Sequence, residues 1–209
     1  MRRLKCIIET ERLIIRNVAE YDAEALLKID CDEQVKKYYP TFDGENDDAD
    51  AHMEHVMDII EYYHEVAEES LLFDEKHPVH TFLSAVCLKD TGEVIGKLGF
   101  DRHGLINEWG LSWCFLSGHT RKGYATEAVM AAADYYLGIF LSLDYLWASI
   151  REDNIASFKV AQKSGYKLIE KRLEFKADIT DYHDIGEYFN GLNSAVDFGW
   201  YYFQKVRKQ

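Results

Sequence analysis

Apolar and polar positions change period repeatedly along the chain, and each change marks an element. Leu13, Ile14 and Ile15 followed by Arg16 predict a first strand, after which Ala23, Leu26, Leu27 and Ile29 fall at helical spacing. Asn46-Asp47-Asp48-Ala49-Asp50 is a helix-start signal, and Met53, Val56, Met57, Ile60 and Tyr63 then hold one apolar face to near Ser70. Apolar-rich runs at 81–88 and 94–102 are joined by Lys89-Asp90-Thr91-Gly92-Glu93, whose Asp, Thr and Gly are turn formers. That predicts a hairpin, and a third strand follows at 108–116. The period turns helical over 125–140, then a short strand at 146–150 precedes a helix over 154–164 that Gly165 closes as a C-cap. Residues 166–175 and 196–206 alternate enough to form a closing strand pair. The order β-α-α-β-β-β-α-β-α-β-β predicts the α/β class, with an open, twisted, mixed sheet covered by helices on both faces.

Only Pro40 and Pro78 interrupt the 209 residues, and no Gly/Ser-rich linker or internal repeat divides them, so 1–209 is expected to be a single domain. A chain of this length buries about 70% of its unfolded surface without needing disulfides or a structural metal. Cys6, Cys31, Cys87 and Cys114 lack C-x-x-C spacing and are expected to be free, buried thiols. Arg2, Arg3 and Lys5 run straight into Glu9, Glu11 and Arg12 with no apolar leader between, so a cytoplasmic location is expected. The longest apolar stretch, 135–143, is too short to cross a bilayer. A net charge of −13 disfavours nucleic acid and suits a cationic partner such as an amine, although the same acidity serves solubility alone. His52 and His55 stand at i and i+3 with no third ligand, so no metal site is assigned.

The chemically informative stretch is Leu116-Ser117-Gly118-His119-Thr120-Arg121-Lys122-Gly123-Tyr124-Ala125-Thr126-Glu127-Ala128, which joins a strand to a helix through small and basic residues. Gly123 admits φ > 0 and Ala125 leaves room, so successive backbone N–H groups can converge on an anion beside Arg121 and Lys122 at the helix N-terminus. The stretch is neither G-x-x-x-x-G-K-[ST] nor G-x-G-x-x-G. By spacing alone, an ordinary strand-to-helix connection with exposed basic residues fits it as well.

These residues resemble a family. Arg-Lys-Gly-Tyr-Ala-Thr-Glu-Ala at 121–128 is similar to the pyrophosphate loop of the GCN5-related N-acetyltransferase (GNAT) superfamily, in particular of the branch that acetylates ribosomal-protein N-termini. Glu9-Thr10-Glu11-Arg12-Leu13-Ile14-Ile15-Arg16 resembles that branch's first-strand signature. Asn154-Ile155-Ala156-Ser157 followed by Lys163-Ser164-Gly165-Tyr166 resembles its helix-to-strand motif, and Asp197 stands where its last strand has Asp. The likeness is strongest from Leu111 to Tyr166 and weakest over 43–79 and 176–195. Three features depart from the pattern: Thr120 replaces a Gln or Arg, Ala161 replaces a Tyr that protonates the leaving thiolate, and the insert at 176–195 is particular to this chain.

The resemblance implies a mostly antiparallel twisted sheet with a splayed central strand, a variable helical acceptor-side segment at 31–80, and an insert with closing strand at 176–209. It implies acetyl-CoA as co-substrate and an amine acceptor, either a small molecule or a protein N-terminus, attacking directly in a ternary complex. Cofactor contacts then fall at Phe115, Leu116 and Ser117 for the pantetheine arm, and at Arg121, Lys122, Gly123, Tyr124, Ala125 and Thr126 for the pyrophosphate. Ser157 falls where a hydroxyl lies near the sulfur, and Asn154 where an amide meets the cofactor; an N-cap and its first turn account for the same pair structurally. Glu108, at the start of the central strand, is the favoured general base, with Glu174 the competitor. Two other functions stay open: a non-catalytic acyl-CoA-binding module, and an acyltransferase using a longer acyl-CoA. Phe198, Trp200, Tyr201, Tyr202 and Phe203 put apolar side chains on both faces of the closing strand, which suggests a homodimer.

Overall fold

Strands β1 (Ile7–Glu9), β2 (Leu13–Asn17), β3 (Phe82–Leu88), β4 (Val94–His103), β5 (Glu108–Phe115), β6 (Tyr145–Arg151), β7 (Lys167–Leu173) and β8 (Gly199–Val206) build one sheet in the order β1-β2-β3-β4-β5-β6-β8-β7. The computed structural model describes residues 7–39, 48–69, 81–103, 108–173 and 199–208. Every neighbouring pair is antiparallel except β5 and β6. Helices α1 (Ala23–Asp30), α2 (Glu33–Lys36) and α3 (Ala49–Glu69) pack on one face, and α4 (Tyr124–Ile139) and α5 (Ile155–Lys163) on the other.

The two faces follow from the strand alternation. Leu98 and Phe100 of β4 point to α4, where Ala128, Ala132 and Ala133 are fully buried and let the helix lie close to the sheet. The rings of Phe100 and Tyr136 stack with centroids 4.2 Å apart, and those of Phe100 and Phe140 at 5.4 Å. On the other face Leu26 and Ile29 of α1 meet Val56 and Ile60 of α3 over Ala85 and Cys87. Two ion pairs also stand there, one buried and one partly buried: Lys97 Nζ lies 2.5 Å from Asp30, and Arg16 grips Asp22 with bonds of 2.6 and 2.8 Å.

Local signals act where the sequence places them. Asp48 Oδ1 accepts from the N–H of Asp50 at 3.0 Å and starts α3 at Ala49, while Asn46 and Asp47 lie outside the described residues. Gly165, at φ +88, ends α5: its N–H reaches the Gln162 carbonyl and the Tyr166 N–H reaches that of Ala161. Cys31, Cys87 and Cys114 are free thiols; Cys6 lies outside the described residues. Two elements go beyond the sequence reading. Strand β1 spans three residues and α2 four, too short for a period to show; α2 is capped by Asp32, which accepts from the N–H of Gln34.

Strand β8 lies between β6 and β7. Its apolar character on both faces therefore has an internal cause, since Tyr202 and Phe203 are fully buried within the chain itself. Strands β5 and β6 share one register pair, Gly110 with Trp147, and part beyond it. Gly110 is needed at that contact because a Cβ there would stand 2.9 Å from the Trp147 carbonyl oxygen, a backbone atom that cannot swing away. Replacing Gly110 by Ala is expected to cost about 1–3 kcal/mol and lower the melting temperature by about 3–9 °C, measured by thermal denaturation.

Candidate active site

Beyond Gly110, residues 111–115 of β5 have no partner on β6, and the gap they leave opens toward the loop that starts α4. In that loop Arg121 takes φ +61 and Gly123 φ +85, which turns the backbone sharply into the helix. No side chain caps α4, and its first internal bond runs from the Glu127 N–H to the Gly123 carbonyl at 3.0 Å. The N–H groups of Gly123, Tyr124, Ala125 and Thr126 have no acceptor among the described residues, as the first turn of an uncapped helix requires. Four free donors, the positive end of a 16-residue helix and the exposed Arg121 and Lys122 make an anion cradle.

The cradle is held from below by residues over a hundred positions away. Thr10 Oγ1 donates to Glu127 Oε1 at 2.6 Å, the Arg12 N–H donates to the same oxygen at 2.9 Å, and Arg12 Nε donates to Oε2 at 2.7 Å. Arg12 Nη1 also donates to the Lys122 carbonyl at 2.9 Å, and the guanidinium covers the Tyr124 ring at 4.6 Å. Burial alone would raise the Glu127 carboxyl, but the bonds from Thr10 and Arg12 outweigh it and hold the pKa below the usual range. Glu127 is thus tied away from its own helix terminus, whose donors stay free. Thr10 and Arg12 belong to the first-strand signature, but nothing local in the sequence assigns them this task.

The other sequence-derived residues are distributed around the gap. The N–H of Leu116 donates to the Ile95 carbonyl at 3.0 Å and that of Ser117 to Asp32 Oδ2 at 2.9 Å, so both are committed within the protein. Phe115 is half-buried, with its ring packed over Gly96. Asn154 caps α5 by accepting from the Ser157 N–H at 3.1 Å, which brings these two to the C-terminal end of β6. Ala161 is fully buried in the core. Glu108 is half-buried at the entrance of β5, where its carboxylate lies beside Tyr145 and, after burial, helps to raise the pKa of that hydroxyl. His119 Nε2 lies 3.4 Å from Glu93. Glu174, Asp197 and the insert at 176–195 lie outside the described residues. No three His, Cys, Asp or Glu side chains gather as metal ligands among the described residues, and none of the described helices is long and apolar enough to cross a membrane.

A cavity of about 40 Å³ lies on the opposite face, between α1, α3 and strands β4 and β5. Its β5 wall is Ser112, Trp113 and Cys114, part of the stretch that has left β6. Asp101 lines it with a carboxylate that has no hydrogen-bond or ion-pair partner among the described residues, and burial alone lifts its pKa to about 6. The sequence reading passed over Asp101, because its alternation with Gly99 and Lys97 reads as a solvated strand face until α3 covers it.

A parted sheet beside an uncapped helix start offers an anion site at the helix and a free strand edge beside it. Residues 12–167 match the acetyltransferase (GNAT) domain family, and the chain belongs to that family. The uncharacterized N-acetyltransferase YoaA of Bacillus subtilis is 27% identical over 164 residues, 77% of this chain and 82% of YoaA. A GNAT-family acetyltransferase from Bacillus anthracis has a similar fold, with a TM-score of 0.67 at 19% identity over 96% of this chain and 98% of its own. So does Mycobacterium smegmatis RimJ in complex with a CoA disulfide, with a TM-score of 0.66 at 16% identity over 93% and 81%.

The clamp makes a pH-dependent prediction. A depressed carboxyl pKa stabilises the fold above the unfolded value of 4.5, and that stabilisation is lost as pH falls through the folded value. Glu127→Gln is therefore expected to lower stability by about 1 kcal/mol at pH 7, discounted for the partly exposed Arg12, with the difference from wild type vanishing in acid. Denaturant titrations at pH 7 and below pH 4 read this directly.

Proposed function

We propose that the protein transfers an acetyl group from acetyl-CoA to a primary amine by direct attack within a ternary complex. The observation that carries this reading is the coincidence of two features: the β5–β6 gap, and four unsatisfied N–H groups at its mouth. The cradle at 121–126 would hold the pyrophosphate, Asn154 would offer its amide nitrogen, and the free edge of 111–115 would line the acyl arm. Leu116 and Ser117, with their N–H groups engaged, would contribute carbonyl oxygens and side chains. Acetyl-CoA supplies the activated acyl group. The amine nitrogen gives up a proton and bonds to the carbonyl carbon as the carbon–sulfur bond breaks and the sulfur takes up a proton. Glu108, beside Tyr145 at the entrance of β5, would take the proton from nitrogen in this scheme, and Ser157 would face the departing sulfur. The CoA complex of RimJ supports the donor, and the net charge of −13 supports a cationic acceptor.

A second reading is a non-catalytic acyl-CoA-binding module. Ala161 favours it, because a fully buried methyl group occupies the helix position from which a hydroxyl would serve the thiolate.

Calorimetric titration with acetyl-CoA, NAD and ATP is expected to show selective binding of acetyl-CoA. Gly123→Val is expected to weaken it at least tenfold without unfolding the chain, since a β-branched residue resists φ +85 and its Cβ would stand 3.3 Å from Arg12 Nη2. Thiol release with an amine panel separates transferase from module. Glu108→Gln is expected to lower kcat about tenfold or more and flatten its pH profile, with acetyl-CoA affinity unchanged. An unaltered profile would remove Glu108 from the proton path.

A further inference from the structure

We propose that the cavity between α1, α3 and β4 is a binding site for a primary alkylammonium group, with Asp101 as its counter-ion. This rests on the amine-acceptor reading and names the chemical class of the acceptor.

Four observations converge. Asp101 lines a half-enclosed cavity and its carboxylate has no partner among the described residues, although a cation stands four positions away on the same strand face. That cation, Lys97, is committed to Asp30 at 2.5 Å and lies 5.6 Å from the Tyr39 ring, so the cavity has one neutralised carboxylate and one left over. A half-buried carboxylate without a counter-ion carries a desolvation cost, and an entering cation offsets it. Second, the floor beside Asp101 is glycine: a Cβ on Gly99 would stand 2.5 Å from Ser112 Oγ and 3.3 Å from Asp101 Oδ2, so only a residue without a side chain lets these two polar groups face the cavity together.

Third, the position is right for transfer. Asp101 pairs in register with Gly110, the residue at which β5 and β6 part, and the cavity's β5 wall is the parted stretch itself. Glu108 lies on the same face of β5 as Gly110, a diagonal step of about 7–8 Å from Asp101 in an antiparallel pair. Asp101 would hold the ammonium while Glu108 receives its proton. Fourth, size selects the ligand. A cavity of about 40 Å³ takes roughly three waters' worth of probe volume, enough for an aminomethyl group and the start of a linear stem but not for a sugar or aromatic ring. Tyr39 and Tyr63 give such a stem aromatic walls.

The probe is n-butylamine, with butan-1-ol as its uncharged counterpart, added to the full chain saturated with CoA and followed by ligand-observed NMR. Butylammonium is expected to bind saturably and butan-1-ol at least tenfold more weakly. Asp101→Asn, of the same shape, is expected to weaken butylammonium at least tenfold and leave CoA affinity within twofold. Gly99→Ala, whose methyl group crowds the Ser112 hydroxyl and the Asp101 carboxylate without removing the charge, is expected to act in the same direction. Wild-type binding is expected to weaken as pH falls through about 6, where the carboxylate is protonated, and Asp101→Asn to lose that dependence. The other titratable groups lining the cavity are Asp30, Tyr39, Tyr63, Lys97 and Cys114, and His103 stands opposite Glu108 in register. A pH dependence that persists in Asp101→Asn belongs to one of these and overturns the assignment. Equal binding of butan-1-ol, unchanged binding to Asp101→Asn, or no binding to wild type would overturn it too. Butylammonium held through Asp101 without thiol release from acetyl-CoA would sink the transferase reading and leave the site standing. Thiol release to other amines, undiminished in Asp101→Asn, would sink the site and leave the transferase.

Discussion

The rest of the structure depends on one backbone contact: Gly110 against Trp147, the single register pair between the two parallel strands. Parallel neighbours need a crossover, and here α4 is that crossover, leaving β5 at the top of the sheet and returning to β6. Because the strands touch at one point and then diverge, the space between them opens beneath the N-terminus of the connecting helix. Geometry alone thus brings a row of unused strand groups and a row of unused helix donors to the same place. A sheet closed along its full length would satisfy those strand groups internally and leave nothing for a ligand.

The two faces of the sheet divide the labour. Against α4 and α5 the interior is apolar and stacked, with Phe82, Phe100, Tyr136 and Phe140 in ring contact. That face fixes the helix carrying the anion cradle. Against α1 and α3 the interior admits charge, in Lys97 with Asp30, Arg16 with Asp22, and Asp101. Breaking a buried pair by removing one partner costs about 3–5 kcal/mol, so such groups tolerate little rearrangement around them. A rigidly packed face that carries the anion cradle and an opposite face that holds charge fit the proposed reaction, in which a phosphate-bearing anion and a cation approach from different directions.

The sequence makes the elements legible but not the contacts between distant ones. Strand alternation, the Asp48 start of α3, the Gly165 stop of α5 and the small-residue loop at 121–126 are local, and the structure has each of them. Strands β3 to β6 and helices α4 and α5 fall within a residue or so of their expected bounds, because their period is long enough to count. The grip of Thr10 and Arg12 on Glu127 spans 117 and 115 positions and leaves no periodic trace. Asp101 is hidden for a related reason: a carboxylate alternating with glycine looks solvated until the tertiary fold covers it. The apolar closing strand shows the opposite limit, since two-sided burial in a sequence cannot say whether the cover is another chain or, as with β8, strands of the same one.

The placement of β8 bears on how the chain reaches this state. It pairs on both sides, with β6 and with β7, yet follows both in the sequence. During synthesis, β6 and β7 therefore emerge as two unpaired edges facing each other across an empty lane, a template that invites strands from other chains. Only when 199–206 has been made does that lane fill and the sheet become continuous from β1 to β7. Low temperature or chaperone cover during that interval protects yield, and any truncation that removes β8 leaves a six-stranded sheet with β6 as a bare edge and β7 without a neighbour rather than a slightly shorter fold.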